Sequence, residues 1–315
     1  MKIRIDVITG FLGSGKTTWI KKLIESKVFE EETLVIIENE FGEVPIDQIL
    51  LDSSEYTLIE LSKGCLCCSL KGDLITTLDT IRTTIKPTRI LIEPSGIFIL
   101  EDLFEVLKSP MLVDYYQLNH IFTIVDSKLL ALNKLRYTQF FSSQIKFATQ
   151  LILSKLDIYG EDCIDEAIHD LRTMNSNAVI HALLPSLWTK EILSDLFKQE
   201  KYYTMTSSTI RLVDTNHKSI ESFGIENVRQ FSRTSFETFI VDIQSEQYGY
   251  ILRIKGFILV DGVFFLLNYN QGEYQLEKST LSEESKLAII GEKLKRDELK
   301  KRLTKIYVNV KRVSG

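Results

Sequence analysis

The run Gly10-Phe11-Leu12-Gly13-Ser14-Gly15-Lys16-Thr17 satisfies the pattern G-x-x-x-x-G-K-[ST]. It stands between an alternating apolar segment, Ile3–Thr9, and an amphipathic one at 17–27. A loop of this kind needs a strand to launch it and a helix to receive it, so it commits the beginning of the chain to strand, turn and helix. Its glycines let backbone N–H groups wrap phosphate oxygens, Lys16 reaches the outer phosphates, and the Thr17 hydroxyl suits Mg²⁺. Gly10, Gly13, Ser14, Gly15, Lys16, Thr17 and Thr18 form the expected phosphate-binding set, with Lys16, Thr17 and, further along the chain, Glu93 counted as catalytic.

Short runs rich in Ile, Val and Leu recur at 33–37, 56–61, 89–92, 120–125 and 150–153, and read as further strands. Helical spacing fills 69–85, 100–108 and 161–174 between them. Strand and helix in alternation imply right-handed crossovers, hence an α/β P-loop NTPase with a mainly parallel sheet. Beyond about residue 205 the periodicity fades, and 206–233 reads as a linker or surface excursion. Segments 236–243, 249–259, 262–268 and 272–277 look like consecutive strands with turns at Asp261-Gly262 and Asn270-Gln271-Gly272, and 283–303 looks helical. A chain of 315 residues is long enough for two domains. The expected division is a P-loop domain at 1–210, a linker at 211–233 and a smaller α+β domain with antiparallel strands at 234–315.

A nucleotide site that uses a metal ion needs a second carboxylate at the end of a neighbouring strand. Glu93, in Ile92-Glu93-Pro94-Ser95-Gly96, supplies one for Mg²⁺, directly or through water, and the Gly96 N–H is placed to sense a terminal phosphate. Base choice falls to Ser154-Lys155-Leu156-Asp157 after a late strand. A carboxylate at Asp157 can accept two hydrogen bonds from guanine, and adenine offers no such donor pair. The usual guanine motif has Asn where this chain has Ser154, and a shorter hydroxyl predicts a weaker base contact or weaker loop bracing.

Three of the four cysteines, Cys65, Cys67 and Cys68, fall within four consecutive positions, which suits soft-metal ligation better than a disulfide framework. Three thiols fall short of a closed tetrahedral cage, so the shell resembles a transfer site more than a structural one. The acidic loop with Glu38, Glu40, Glu43 and Asp47 can divide its carboxylates between that metal and Mg²⁺. A structural cysteine cluster, a redox pair, and a merely solvated acidic loop stay open as alternatives. Lys and Arg number 38 against 43 Asp and Glu, a net charge of −5 that gives no reason to expect a nucleic-acid partner. No uninterrupted apolar stretch has membrane length or signal-peptide character, so no membrane partner and a cytoplasmic location are expected.

Taken in order, the phosphate loop, the Glu38–Asp47 loop, the Gly64-Cys65-Leu66-Cys67-Cys68 box, Glu93-Pro94-Ser95-Gly96 and Ser154-Lys155-Leu156-Asp157 resemble the CobW-type metallochaperone GTPases, relatives of the hydrogenase and urease nickel-insertion GTPases. Gln144-Ile145 with Ala148, Leu252-Arg253-Ile254-Lys255-Gly256 and Leu287-Ala288-Ile289-Ile290-Gly291 extend the resemblance over nearly the whole chain. The resemblance implies slow GTP hydrolysis to GDP with Mg²⁺, coupled to binding of Zn²⁺ or Co²⁺ and its delivery to a client metalloprotein or metal-dependent enzyme. A monomer or a nucleotide- or metal-dependent homodimer would suit that role. Ser154 for Asn, Ser95 for the usual Thr, and a lone His217 where many members carry a His-rich tract are departures. A nucleotide-dependent assembly factor with structural cysteines is the rival reading, and a small-molecule kinase a weaker third.

Overall fold

The computed structural model describes residues 2–38, 56–60, 69–160, 164–198, 220–280 and 284–304. The first unit contains β1 (Ile3–Thr9), α1 (Lys16–Glu25), β2 (Leu34–Glu38), β3 (Thr57–Glu60), α2 (Ser69–Thr84), β4 (Arg89–Glu93), α3 (Leu100–Leu107) and β5 (Tyr116–Asp126). It continues with α4 (Leu130–Arg136), α5 (Thr138–Lys146), β6 (Gln150–Ser154), α6 (Leu156–Tyr159), α7 (Ile164–Met174), β7 (Val179–His181) and α8 (Lys190–Lys198). The seven strands run in the order β3-β2-β4-β1-β5-β6-β7, and every adjacent pair is parallel.

Parallel strands with both faces covered read as unbroken apolar runs, and the side chains here divide by alternation. Val7, Val35, Ile37, Ile90 and Ile92 pack with Leu74, Leu78 and Ile81 of α2 and Leu103 and Val106 of α3. Ile8, Ile36, Leu91, Ile124 and Ile152 pack on the other side with Trp19, Ile20 and Leu23 of α1 and Leu193 and Phe197 of α8. β1 lies between β4 and β5, so its carboxyl end opens where the chain has crossed to either side of it. In open α/β sheets that crevice is where ligands bind.

The second unit has β8 (Ile220–Glu226), α9 (Arg233–Gln244), β9 (Tyr250–Val260), β10 (Val263–Asn270), β11 (Glu273–Lys278), β12 (Lys286–Glu292) and α10 (Arg296–Leu303). Its five-stranded antiparallel sheet has the order β11-β10-β9-β12-β8. The turn at Asp261-Gly262 has φ +47° and +80°, and that at Gln271-Gly272 +45° and +102°, the paired positive values that tight hairpins demand.

Several expectations need correction. Residues 236–243 form helix, not strand: Phe236, Phe239, Ile240 and Ile243 repeat at i, i+3, i+4 and i+7, all buried, and Ser232 with Ser235 closes a capping box at the start of α9. Aromatic and β-branched content masked that period. The stretch 283–303 is not one helix but β12 followed by α10. The 206–233 stretch is not wholly a linker, because β8 within it pairs with β12. β7 and the helices at 130–146 and 190–198 also go unread in the sequence.

Candidate nucleotide and metal site

Residues 10–15 leave the end of β1 in backbone conformations that side chains rarely adopt: φ is +146° at Gly10, +71° at Gly13 and +102° at Gly15. Gly10 has a second constraint, since a Cβ there would meet the Ile124 carbonyl oxygen of β5 at 2.3 Å. α1 then begins with Gly15 as its cap, no side-chain cap hydrogen bond and no acidic residue in its first turn. Its leading N–H groups and its dipole are therefore turned to the loop, the arrangement that attracts an anion. Lys16 is buried with its Nζ 3.0 Å from the Gly10 carbonyl oxygen, Thr17 is half-buried, and Thr18 is exposed.

Thr17 Oγ1 donates to Glu93 Oε1 at 3.3 Å, across 76 positions of sequence. A hydroxyl and a carboxylate side by side beneath a phosphate loop are hard oxygen donors of the kind Mg²⁺ takes, so the residues present fit that ion. Glu93 ends β4 and Glu38 ends β2, and the two are register partners. Glu60, which ends β3, is the register partner of Glu38 on its other side. Glu60 is absent from the sequence-based ligand set, although Ile37-Glu38, Ile59-Glu60 and Ile92-Glu93 repeat one ending on three strands. Gly96, three residues past β4, is buried so close to the phosphate loop that a Cβ would lie 2.7 Å from the Leu12 backbone nitrogen.

The Ser154–Asp157 loop is fastened to the phosphate loop. Ser154 Oγ donates to the Ser14 carbonyl oxygen at 2.7 Å, with the Val125 carbonyl at 3.2 Å, so the shorter hydroxyl does brace the loop. Lys155 has φ +62° and its Nζ lies 2.6 Å from Asp126 Oδ2. Asp126 also accepts from the Lys128 and Leu129 N–H groups at 3.1 and 3.2 Å, and Ser127 Oγ donates to the Ser154 carbonyl at 3.2 Å. Sequence reasoning missed Asp126, whose signal is a lone carboxylate at the end of the long apolar β5. Asp157, in the first turn of α6, is exposed.

Glu40, Glu43, Asp47, Cys65, Cys67, Cys68 and His217 lie outside the described residues. Among the described residues no three His, Cys, Asp or Glu side chains gather as a metal-ligand group, and no helix is long and apolar enough to cross a membrane.

The chain matches the CobW/HypB/UreG nucleotide-binding domain over residues 4–182, more than half its length. It belongs to the CobW/HypB/UreG family. Residues 220–307 match a second domain, the cobalamin synthesis protein cobW C-terminal domain. Relatives within reach of this CobW-type chain include the zinc chaperone YeiR of Escherichia coli K12, 37% identical over 154 residues that make up 49% of this chain and 47% of that protein. The match thus spans about half the length of YeiR. The zinc chaperone YjiA of the same organism is 26% identical over 269 residues, covering 82% of this chain and 83% of YjiA. The zinc chaperone CobW of a Sinorhizobium species is 26% identical over 301 residues, covering 85% and 81%.

Proposed function

We propose that this chain is a GTP-hydrolysing metallochaperone that binds a transition metal, zinc first and cobalt second, and hands it to a client metalloprotein under control of the nucleotide. The observation that carries the reading is the Thr17–Glu93 hydrogen bond at 3.3 Å, at the end of a strand in register with Glu38. It supports a phosphate-and-cation site at the carboxyl ends of the central strands, and the acidic loop and, five residues after Glu60, the thiol box follow neighbouring strands in sequence. The names of the relatives, all zinc chaperones, support zinc as the cargo.

In this reading the backbone N–H groups of 10–17 and Lys16 hold the phosphates, Thr17 and Glu93 hold Mg²⁺, and the Gly96 N–H reads the terminal phosphate. Mg²⁺ supplies neutralisation of charge on the phosphate oxygens. Ser154 and Lys155 shape the loop from which Asp157 takes guanine. Cys65, Cys67 and Cys68, with Glu38, Glu40 and Glu43, hold the cargo metal, and Asp47 joins the Mg²⁺ side. Coupling requires the metal to bind one nucleotide state better than the other, because equal affinity would shift nothing.

Metal competition titrations test this directly. The purified chain is loaded with GDP or a non-hydrolysable GTP analogue, and Co²⁺ thiolate absorbance is followed while Zn²⁺ competes. A thiolate band that Zn²⁺ abolishes, with affinity differing between the two states and lost in the Cys65→Ser/Cys67→Ser variant, is expected. No thiolate band in either state would sink the cargo assignment, and equal affinities would sink the coupling.

A further inference from the structure

Gln144 of α5 lies outside the phosphate loop, the base loop and the acidic strand ends, yet its side chain is fully buried and aimed at the terminal-phosphate segment. Its Nε2 donates to the Gly96 carbonyl oxygen at 3.0 Å and to the Phe98 carbonyl oxygen at 3.3 Å. The Gln144 main chain is held in turn, since Thr123 Oγ1 of β5 donates to its carbonyl oxygen at 2.7 Å. The preceding residue grips the far end of the same segment: Ser143 Oγ accepts from the Leu100 N–H at 3.0 Å and donates to Glu101 Oε2 at 2.5 Å. The carboxyl end of α5 is itself tied down, with Asn175 Nδ2 donating to the carbonyls of Ile145 and Ala148 at 2.8 and 3.0 Å.

We propose that Gln144 is a positioning residue, an amide latch that holds the 95–98 segment against the phosphate loop and thereby sets how the terminal phosphate is read. The inference rests on the GTP-hydrolysing reading and deepens it. Two carbonyl oxygens facing one amide fix its orientation, because the reversed amide would oppose oxygen to oxygen. Among the described residues Gln144 Oε1 is left buried with no hydrogen-bond partner, and a buried acceptor of that kind asks for an explanation. The explanation lies in the Gly96–Ile97 peptide. Its carbonyl now meets Nε2, and its N–H, on Ile97, lies 3.5 Å from Ser95 Oγ, at the limit of a hydrogen bond. If that peptide turns over as Gly96 follows the terminal phosphate, the Ile97 N–H comes round to the waiting Oε1. One amide then serves both orientations, and glycine at 96 leaves the backbone free to adopt them.

The test compares wild type with Gln144→Met, which has no donor and only a weak thioether acceptor, and Gln144→Glu, which when ionised can only accept. We expect kcat for GTP to fall by about tenfold or more in Gln144→Met, the scale set by misplacing a reacting group, with GDP affinity within about twofold of wild type. Gln144→Glu should recover rate as pH falls and its carboxyl gains a proton to donate to the Gly96 carbonyl, a rise that wild type and Gln144→Met lack. An unchanged kcat in Gln144→Met overturns the latch, as does a fall matched by equal losses of GDP affinity and melting temperature. If wild type binds both nucleotides but does not hydrolyse GTP, the hydrolysis reading fails by itself, and the latch is judged by the ratio of GTP-analogue to GDP affinity, which Gln144→Met must alter. Should Gln144→Met not fold, the pH profile of Gln144→Glu decides alone, and a flat profile overturns the proposal.

Discussion

Ser154 Oγ and the carbonyl oxygen of Ser14 lie 2.7 Å apart, joining the loop proposed to select the base to the loop proposed to hold the phosphates. Close approach makes a hydroxyl long enough: a Cβ added at Gly15 would stand 3.9 Å from Ser154 Cβ. Ser154→Ala removes this donor and leaves the Ser14 carbonyl short of a partner, a cost of about 1 kcal/mol. Nucleotide affinity should weaken about fivefold for GDP and for a GTP analogue alike, with guanine preference kept by Asp157. Fluorescent-nucleotide titration checks this, and affinity unchanged from wild type would mean that the bond does no work in binding.

Thr17 and Glu93 are expected to act as one unit on the cation. Thr17→Val keeps the shape and removes the hydroxyl, and Glu93→Gln keeps the shape and removes the charge. Each should lower kcat for GTP by about a hundredfold, the scale of losing one electrostatic partner at the reacting phosphate. The double variant should cost little more than either single one, because groups that serve one ion are strongly non-additive. Steady-state phosphate release at several Mg²⁺ concentrations reads this, and fully multiplicative losses would show that the two side chains do not share an ion.

Arg89, at the amino end of β4, and Asp6, midway along β1, form a buried ion pair away from the site. Arg89 also donates to Glu32 at 2.9 Å, and Asp6 accepts from Asn119 Nδ2 at 2.9 Å and from the His120 N–H at 3.1 Å. Arg89→Met strands a fully buried carboxylate, a change that costs about 3–5 kcal/mol. Four residues of β4 separate Arg89 from Glu93, roughly 13 Å along the strand, so GDP affinity in the folded fraction should hold. Denaturant unfolding with and without GDP tests both halves, and a midpoint equal to wild type would refute the stability role.

How much of this was legible in the sequence depends on the range over which each signal acts. The phosphate loop, Glu93 and Gly96 declare themselves because local spacing and strand context coincide. β2, β4, β5 and β6 declare themselves because burial on both faces makes them near-continuous apolar runs, while β1 and the edge strand β3 are betrayed by short Ile- and Leu-bearing segments beside loop signals. Residues 236–243 mislead because Phe and Ile suit both strands and helices, and only the Ser232 cap and the i, i+3, i+4, i+7 spacing decide. Asn175 carries no local signature, and Gln144 and Asp126 carry only faint ones, since their work is to meet backbone groups and side chains brought near by the fold. Glu60 was hidden for a different reason: its meaning comes from register with Glu38, which a single strand does not reveal.

His181 gives the first unit a pH-dependent component of stability. It is half-buried at the end of β7, with Nε2 2.9 Å from Gln150 Oε1, and Gln150 Nε2 donates to the Leu196 carbonyl oxygen at 2.7 Å. That second bond fixes the Gln150 amide with its oxygen toward the ring, so the imidazole donates through Nε2. Burial pushes the pKa of His181 below its ordinary 6.5, because the charged ring loses hydration. The unfolded chain therefore binds a proton more readily than the native one over the range just below 6.5, and stability falls as pH drops through it. Above the ordinary value the contribution is complete. His181→Gln should remove this slope, so that melting temperatures of wild type and variant, measured between about pH 5.5 and 7.5, diverge at the acidic end in the variant's favour relative to their difference at neutral pH. Parallel curves across that range would show that the ring titrates alike in the native and unfolded chains.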